Sequence, residues 1–427
     1  MRDFSVLLTS KAVERIRQGG MWGSLTLKVS SAELVGMVSV VGHKDEVRYP
    51  VETDIAGHFL NSCDDKPVGV WYRVEAALHA SWVVAVAKAG ALPLYAFRDA
   101  VASGFTNPGE KVYFAITHAP DAPQSSPDFP VPEFAMWRVS KGGVEPLYID
   151  VEPEFVDARA LAPHWPVADL ESARVMVVGC GSIGGAAVRE LAAAGVGRLD
   201  LVDPDRLRWR NLVRHVCGSR HVGKLKVTAL KDDFAQIRPR TDVHVHDLDV
   251  VRDADRVREL LQDTDIVLCA ADGISPRRVV GHLARRAGVP AVLACVLENG
   301  QFGEIMRLRP WKHHGCLQCR RQQLFDEGGM LPESLLDAEY GIGTSHRPMT
   351  AVGSDLHFIG AFAAKVTLAT LLHDKGHHDQ RMDAEHALVA LRPRPGWAPP
   401  FDVGRAGEVR WMPATPPRDG CPTCGPA

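Results

Sequence analysis

Residues 174–185 read Arg-Val-Met-Val-Val-Gly-Cys-Gly-Ser-Ile-Gly-Gly, a buried-strand pattern running straight into a glycine turn. An alanine-rich helix is expected from Ala186. Gly179, Gly181 and Gly184 keep the G-x-G-x-x-G spacing. The first permits a tight turn, the second lets a phosphate approach the backbone, and the third lets helix and strand pack closely. Free N–H groups at the helix start, that of Ser182 among them, and the positive end of the helix dipole make this an anion site. A second strand, 199–202, ends in Asp203, where a carboxylate can accept hydrogen bonds from ribose hydroxyls. Strand and helix patterns then alternate to about Ile305, as βαβ units and a mostly parallel sheet require. The expected fold is α/β and Rossmann-like.

The chain has 427 residues, which suits two domains better than one. Residues 1–165 mix strand-like segments (24–29, 35–41, 112–117) with a helical stretch at 74–88 and a hairpin at 134–151 turned by Ser-Lys-Gly-Gly. They are expected to form a smaller N-terminal α/β domain. Residues 160–170, with Pro163 and Pro166, look like an approach segment to a second domain, 166–427. Beyond Pro310 come the cysteine pairs, a disordered-looking stretch (326–348), an apolar helix (356–373) and a proline-rich tail. A net charge of -3 gives no electrostatic footprint for nucleic acid or an anionic membrane. No run reaches the eighteen or so uninterrupted apolar residues of a membrane span. The start, Met-Arg-Asp, lacks an apolar signal segment, so the default expectation is a cytoplasmic protein.

A glycine turn alone serves an NAD-dependent dehydrogenase equally well, and the segments beyond the second strand narrow the choice. From Asp203 the chain reads Asp-Pro-Asp-Arg-Leu-Arg-Trp-Arg-Asn-Leu-Val-Arg-His, then Val-Gly-Lys-Leu-Lys-Val, and later Cys-Ala-Ala-Asp-Gly. In these segments the sequence resembles the ThiF/MoeB family, adenylyltransferases related to ubiquitin-activating enzymes. The family signatures are a glycine loop, an aspartate closing the second strand, Asn-Leu-x-Arg-Gln, Gly-x-x-Lys, and an aspartate in a Thr-Asp-Asn-like turn. They fall here on residues 179–185, Asp203, Asn211 with Arg214, Lys226 and Asp272, in the family's order. A dehydrogenase has no use for the basic pair after the second strand.

The resemblance implies that a carboxylate attacks the α-phosphate of ATP and expels pyrophosphate. Fixed cations and a metal are the main requirement of such a step. Arg214 and Lys226 would neutralise the phosphates, Asn211 would help hold the triphosphate, and Asp272 would bind Mg²⁺, a hard cation suited to oxygen donors. Asp205, in the same Asp-Pro-Asp run, joins the expected nucleotide-contacting set. The Asn/Arg element in the family can reach across a dimer interface, which implies a homodimer. Each residue also has a plainer reading. Arg214 sits among Arg206, Arg208, Arg210 and Arg220 as a surface arginine would, Lys224 competes with Lys226, and Asp272 could be an ordinary turn or cap. Two positions depart from the pattern: His215 replaces the glutamine after the arginine, and Gly273 the asparagine after the aspartate.

Cys316-Leu-Gln-Cys319 and Cys421-Pro-Thr-Cys424 are C-x-x-C knuckles whose four thiolates can close a structural Zn²⁺ site. The second closely resembles the family's C-terminal zinc knuckle. Relatives that pass their substrate to a carrier form a thioester, often through a cysteine before the last long helix. The comparable stretch here, 344–350, reads Thr-Ser-His-Arg-Pro-Met-Thr, and no cysteine lies between Cys319 and Cys421. Of Cys63, Cys180, Cys217, Cys269 and Cys295, Cys217 has the most favourable neighbours for a thiolate, His215 and several arginines. Adenylation without a self-thioester remains the simpler reading.

Within 112–128, Thr117-His118-Ala119-Pro120 followed by Ser125-Ser126-Pro127-Asp128 faintly resembles the zinc-dependent isopeptidase pattern, without its ligand histidines in register. A degenerate copy of the adenylation fold and an unrelated recognition domain are the other expectations for this region. Three functions stay open. The first is adenylation of the C-terminal carboxylate of a ubiquitin-like protein, with a separate conjugating enzyme as carrier. The second is adenylation of a peptide or small substrate, as in natural-product, cofactor or tRNA modification. The third is a non-catalytic scaffold with a decayed nucleotide site.

Overall fold

The computed structural model describes the chain apart from residues 1–3, 45–46, 52–59, 61–64, 102, 123–130, 154–156, 238–239, 298–299, 330–350, 383 and 426–427. It divides into two compact units, Met1–Val156 and Asp157–Ala427. The segment 344–350 and Cys63 lie outside the described residues, as do Ser125, Ser126 and Asp128 and most of 326–348.

The first unit runs β1 (Ser5–Leu8), α1 (Ser10–Gln18), β2 (Trp22–Ser30), β3 (Val35–Gly42), β4 (Arg48–Pro50), β5 (Asp65–Arg73), α2 (Ala76–Ala87), α3 (Leu94–Ala100), β6 (Tyr113–His118), β7 (Phe134–Ser140) and β8 (Gly143–Val151). Thr9 starts α1 by accepting the Ala12 N–H on its hydroxyl at 3.1 Å, and the helix buries Ala12, Val13 and Ile16. Because β1 pairs in parallel with both β8 and β3, the strands close into a ring, β1-β8-β7-β6-β5-β2-β3, with β4 added along β3. Period-two alternation then sorts the side chains. Trp71, Ile116 and Met136 go to one cluster, and their neighbours Tyr72, Ala115 and Trp137 to the other. The remaining pairings are antiparallel except β5 with β6, so this sheet is not a second doubly wound copy.

The second unit opens with a short helical turn, Ala158–Leu161, and α4 (Val167–Glu171). The expected approach segment is therefore part of this unit; Ala158 and Val167 lie against Gly195 at the end of α5. It continues with β9 (Arg174–Val178), α5 (Ser182–Ala193), β10 (Arg198–Val202), α6 (Lys226–Ile237), β11 (Asp242–His246), α7 (Ala254–Leu260), β12 (Ile266–Cys269), α8 (Ile274–Ala287) and β13 (Ala291–Leu297). Then come β14 (Phe302–Leu308), α9 (Leu317–Asp326), α10 (Gly353–Asp374), β15 (His386–Ala390) and β16 (Val409–Met412). The strand order is β11-β10-β9-β12-β13-β14-β15-β16. The first five are parallel, in the order of a Rossmann half, and the last three extend the sheet antiparallel. Helix α5 begins at Ser182, ahead of the expected Ala186, because the glycines of its first turn are already helical.

Apolar residues at successive positions of β9 face opposite sides of the sheet, as strands buried on both faces require. Val175 and Val177 pack with α5, α6 and α10, whereas Met176 and Val178 pack with α7 and α8. The Gly353–Asp374 helix is long and apolar enough to cross a membrane by length and composition alone, yet most of it is buried, its Leu356, Ile359 and Ala363 in the core with Ile183 and Ala187 of α5.

Candidate functional site

Chain order reverses between β9 and β12, and at such a switch point the loops leaving the carboxyl ends of the two strands diverge and leave a crevice. A cleft of about 360 Å³ lies there. Its walls include Gly179, Gly181 and Ser182 from the glycine turn, Asp203 and Asp205 after β10, Asn211 and Arg214, Lys226 opening α6, and Asp272 after β12. Of the ten nucleotide-site residues expected from sequence, Gly184 alone is absent from the lining. It serves beneath it: a Cβ there would collide with the Gly179 carbonyl, so only glycine lets α5 start this close to the strand. Gly179 itself holds φ +87° against the Ala271 backbone.

Several of these side chains have a local partner. Both Asp203 oxygens accept backbone N–H groups, from Cys180 at 2.7 Å and Asp205 at 2.8 Å, so this carboxylate ties the glycine turn to the end of β10. Burial pushes its pKa up, and the nearby Lys226 ammonium opposes that. Lys226 Nζ donates to Asp205 Oδ2 at 2.7 Å and lies 3.8 Å from Asp203. Burial works against its charge, but Asp203 and Asp205, then Asp272, outweigh burial and raise its pKa. A raised lysine beside a raised aspartate is consistent, because the lysine's short contact is to Asp205. It is therefore a fixed cation on the cleft wall. Asn211 Oδ1 accepts the Arg208 N–H at 2.8 Å and so caps its own turn, leaving its amide N–H₂ for a ligand.

The segment 248–250, beyond β11, also lines the cleft and was not singled out from sequence. Its position past a parallel strand of the same sheet was the available signal. Arg206, Arg208, Arg210 and Arg252 belong to the lining too. Among the described residues, Arg208, Arg210 and Arg214 make no ion pair, so the cleft presents uncompensated positive charge beside one exposed aspartate, Asp272. Such a lining suits a polyanion accompanied by a hard cation.

A second site has a different chemistry. The Sγ atoms of Cys316, Cys319, Cys421 and Cys424 all lie within 4.8 Å of one another. Sulfur separations are 3.5 Å for Cys316–Cys421, 3.8 Å for Cys316–Cys319 and 3.9 Å for Cys319–Cys424. A tetrahedron with metal–sulfur bonds of about 2.3 Å has edges of about 3.8 Å, so the four thiols fit a zinc-type site with no open position. Arg286 of α8 donates to the Pro422 and Gly425 carbonyls and so anchors the second knuckle to the sheet layer.

The remaining described cysteines are poor nucleophiles. Cys217 is 1% exposed; burial and the negative charge of Asp233 raise its pKa. Burial likewise raises Cys180, Cys269 (up to about 11) and Cys295 (up to about 12). A thiol that stays protonated at neutral pH does not attack an acyl-adenylate readily. In the first unit, His118 Nε2 donates to the Glu133 carboxylate at 2.9 Å, and no group of metal-ligating side chains gathers there among the described residues.

Similarity to known proteins bears on both sites. The model of the ThiF family matches residues 158–387. The uncharacterized protein y4oA of Sinorhizobium fredii is 30% identical over 227 residues, covering 49% of this chain and 38% of that protein. The molybdopterin-synthase adenylyltransferase of Salmonella typhimurium is 28% identical over 202 residues, 47% of this chain and 79% of that one. The sulfur carrier protein ThiS adenylyltransferase of Bacillus subtilis is 30% identical over 152 residues, 35% of this chain and 44% of that one. The chain thus spans less than half the length of two of these three relatives.

Proposed function

The chain belongs to the ThiF family, and on that premise we propose that it is an ATP-dependent adenylyltransferase acting on the C-terminal carboxylate of a ubiquitin-like protein. The observation that carries this reading is convergence. The glycine turn, Asp203, Asn211 with Arg214, Lys226 and Asp272 are spread over the sequence from 179 to 272, yet all border one cleft. The names of two relatives, adenylyltransferases of molybdopterin synthase and of the carrier ThiS, favour a protein as the acceptor.

In this reaction a substrate carboxylate oxygen bonds to the α-phosphorus, the bond to the β-phosphate oxygen breaks, and pyrophosphate leaves. Charge builds on the phosphoryl oxygens and on the leaving group. The backbone N–H groups opening α5 receive phosphate oxygens, and Lys226 and Arg214 hold positive charge beside them. Asp203 keeps the loop in shape through its two N–H contacts. Asp272 would hold Mg²⁺, which when bound supplies further neutralisation of the triphosphate. The four cysteines would hold Zn²⁺ as a structural clip between α9 and the chain's last knuckle. Carrier transfer would fall to a separate conjugating enzyme, in keeping with the buried thiols. The reading includes a homodimer, supported by two exposed apolar side chains, Trp209 just before the Asn211–Arg214 turn and Val213 within it, 75% and 81% exposed.

The test is exchange of labelled pyrophosphate into ATP by the full chain, with glycine-terminated ubiquitin-like proteins and with free peptides as acceptors. Exchange that requires a ubiquitin-like protein supports the reading. Exchange with a short peptide alone moves the substrate to the peptide class, and no exchange with either leaves the adenylation reading without support.

A further inference from the structure

Two imidazoles converge on the turn that carries Arg214. His215 is buried, and its ring lies under the glycine loop. Its Nδ1 accepts the Cys217 backbone N–H at 3.1 Å. That acceptor role leaves the ring proton on Nε2, which donates to the Cys180 carbonyl at 3.0 Å. Cys180 is the residue between Gly179 and Gly181, so this bond ends inside the phosphate loop. From the other side, His357 of α10 donates through Nε2 to the Arg214 carbonyl at 2.8 Å. Within the turn, the N–H groups of Arg214 and His215 both bond to the Asn211 carbonyl, at 2.9 and 2.8 Å.

The geometry points to His215 as a positioning residue that, with His357, clasps the Asn211–Arg214 turn onto the phosphate loop. The inference rests on the nucleotide reading of the cleft. An arginine on a long flexible stem addresses a triphosphate well only if its backbone is held relative to the amides that hold the same phosphates. Among the described residues no other side chain of the turn makes a hydrogen bond to the loop: Asn211 spends its side-chain Oδ1 on the Arg208 N–H, and Lys226 sits on α6. The ring is held neutral, since burial first, then the positive charge of Lys226, lowers its pKa to about 4, against the Cys180 carbonyl and Asp233. A neutral ring both donates and accepts, which both of its bonds require. The family glutamine at this position also carries a side-chain N–H donor and a carbonyl acceptor. His215 then supplies the donor and acceptor pair in a different shape.

A buried histidine that merely fills space would affect stability alone, so the test separates the two. Calorimetric titration of the full chain with a non-hydrolysable ATP analogue and Mg²⁺ compares wild type, His215→Ala, His215→Gln, Arg214→Ala and the double variant Arg214→Ala/His215→Ala. The clasp predicts about tenfold weaker binding in His215→Ala, recovery of most of it in His215→Gln, and less than about a twofold further loss when His215→Ala is added to Arg214→Ala. Undiminished binding in His215→Ala, full additivity with Arg214→Ala, or equal losses for the alanine and glutamine variants would overturn it. If His215→Ala does not fold, His357→Gln against His357→Ala reads the same clasp from α10, with the same ordering expected. A wild-type chain that binds no nucleotide overturns the parent reading itself, an outcome distinct from all of these.

Discussion

In the first unit the buried imidazoles His118 and His79 each have a polar partner. His118 Nε2 meets Glu133 at 2.9 Å, and Arg17 closes on the same carboxylate with two hydrogen bonds. His79, fully buried, donates from Nδ1 to the Pro132 carbonyl at 2.6 Å and accepts the Thr117 hydroxyl at 2.7 Å; that hydroxyl in turn accepts the Trp137 indole N–H at 2.9 Å. In the second unit, Arg208, Arg210 and Arg214 face a cleft with no ion-pair partner among the described residues, and four thiols converge on one point. Arg208 and Arg210 are exposed and Arg214 is half-buried, so water solvates these cations and a polyanion can meet them without breaking an existing ion pair, whereas the thiols are mostly buried. The contrast separates the polar groups that hold the fold from those that await a partner. Substitutions in the first group should register as stability, those at the cleft as binding and rate, and those at the thiol cluster as loss of metal together with stability.

The largest effect is expected at the cleft. Asp272→Ala and Lys226→Ala should each lower pyrophosphate exchange by about 100-fold or more while thermal unfolding of Asp272→Ala stays near wild type. An equal fall in melting temperature and in rate would erase the contrast between the units. Next comes the cysteine set. Cys421→Ser should lose a stoichiometric metal, read by mass spectrometry of the native protein, and destabilise the second unit by on the order of 4 kcal/mol, because a metal held by the four thiols would tie sequence-distant segments together.

His79 sharpens the contrast from the other side. Burial lowers its pKa from the usual 6.5 to about 4, with the neighbouring His118 adding to this and the Pro132 carbonyl and Glu133 opposing it. A depressed folded-state value means that the unfolded chain takes up the proton first. The stability this neutral histidine contributes is present above pH 6.5 and is lost as pH falls through about 4, a change of about 3 kcal/mol. His79→Gln should flatten that part of the first unit's pH–stability curve, followed by denaturant titration, and leave nucleotide binding unchanged. The smallest effect is that of Arg17→Ala: its pair with Glu133 is half exposed on the arginine side, so the loss should stay below about 1 kcal/mol.

Much of the fold was legible in the sequence for reasons that can be named. Parallel strands buried on both faces are continuous apolar runs, and Arg174–Val178 and Ile266–Cys269 read that way directly. The hairpin of β7 and β8 was marked by its glycine turn, and the knuckles by C-x-x-C spacing. Other features depend on contacts that no local pattern encodes. Closure of the first sheet needs Ser5–Leu7 to meet Val35–Met37, and β16 lies inside a tail that reads only as proline-rich. At the site, motif spacing located the residues but not their partners. Nothing in the order Asp203, Asp205, Lys226 says that the first would take two backbone N–H groups and the second the lysine. Those assignments depend on how the turns after β10 fold back on one another.

The most direct test of the account is equilibrium titration of the full chain with Mg-ATP, beside the same titration of Lys226→Ala and Asp272→Ala. One nucleotide bound per chain by the wild type, with marked loss in both variants, is the predicted result. Binding that ignores both substitutions, or no binding to a folded wild-type chain, would mean that the glycine turn, the cations and the aspartate do not make a single nucleotide site.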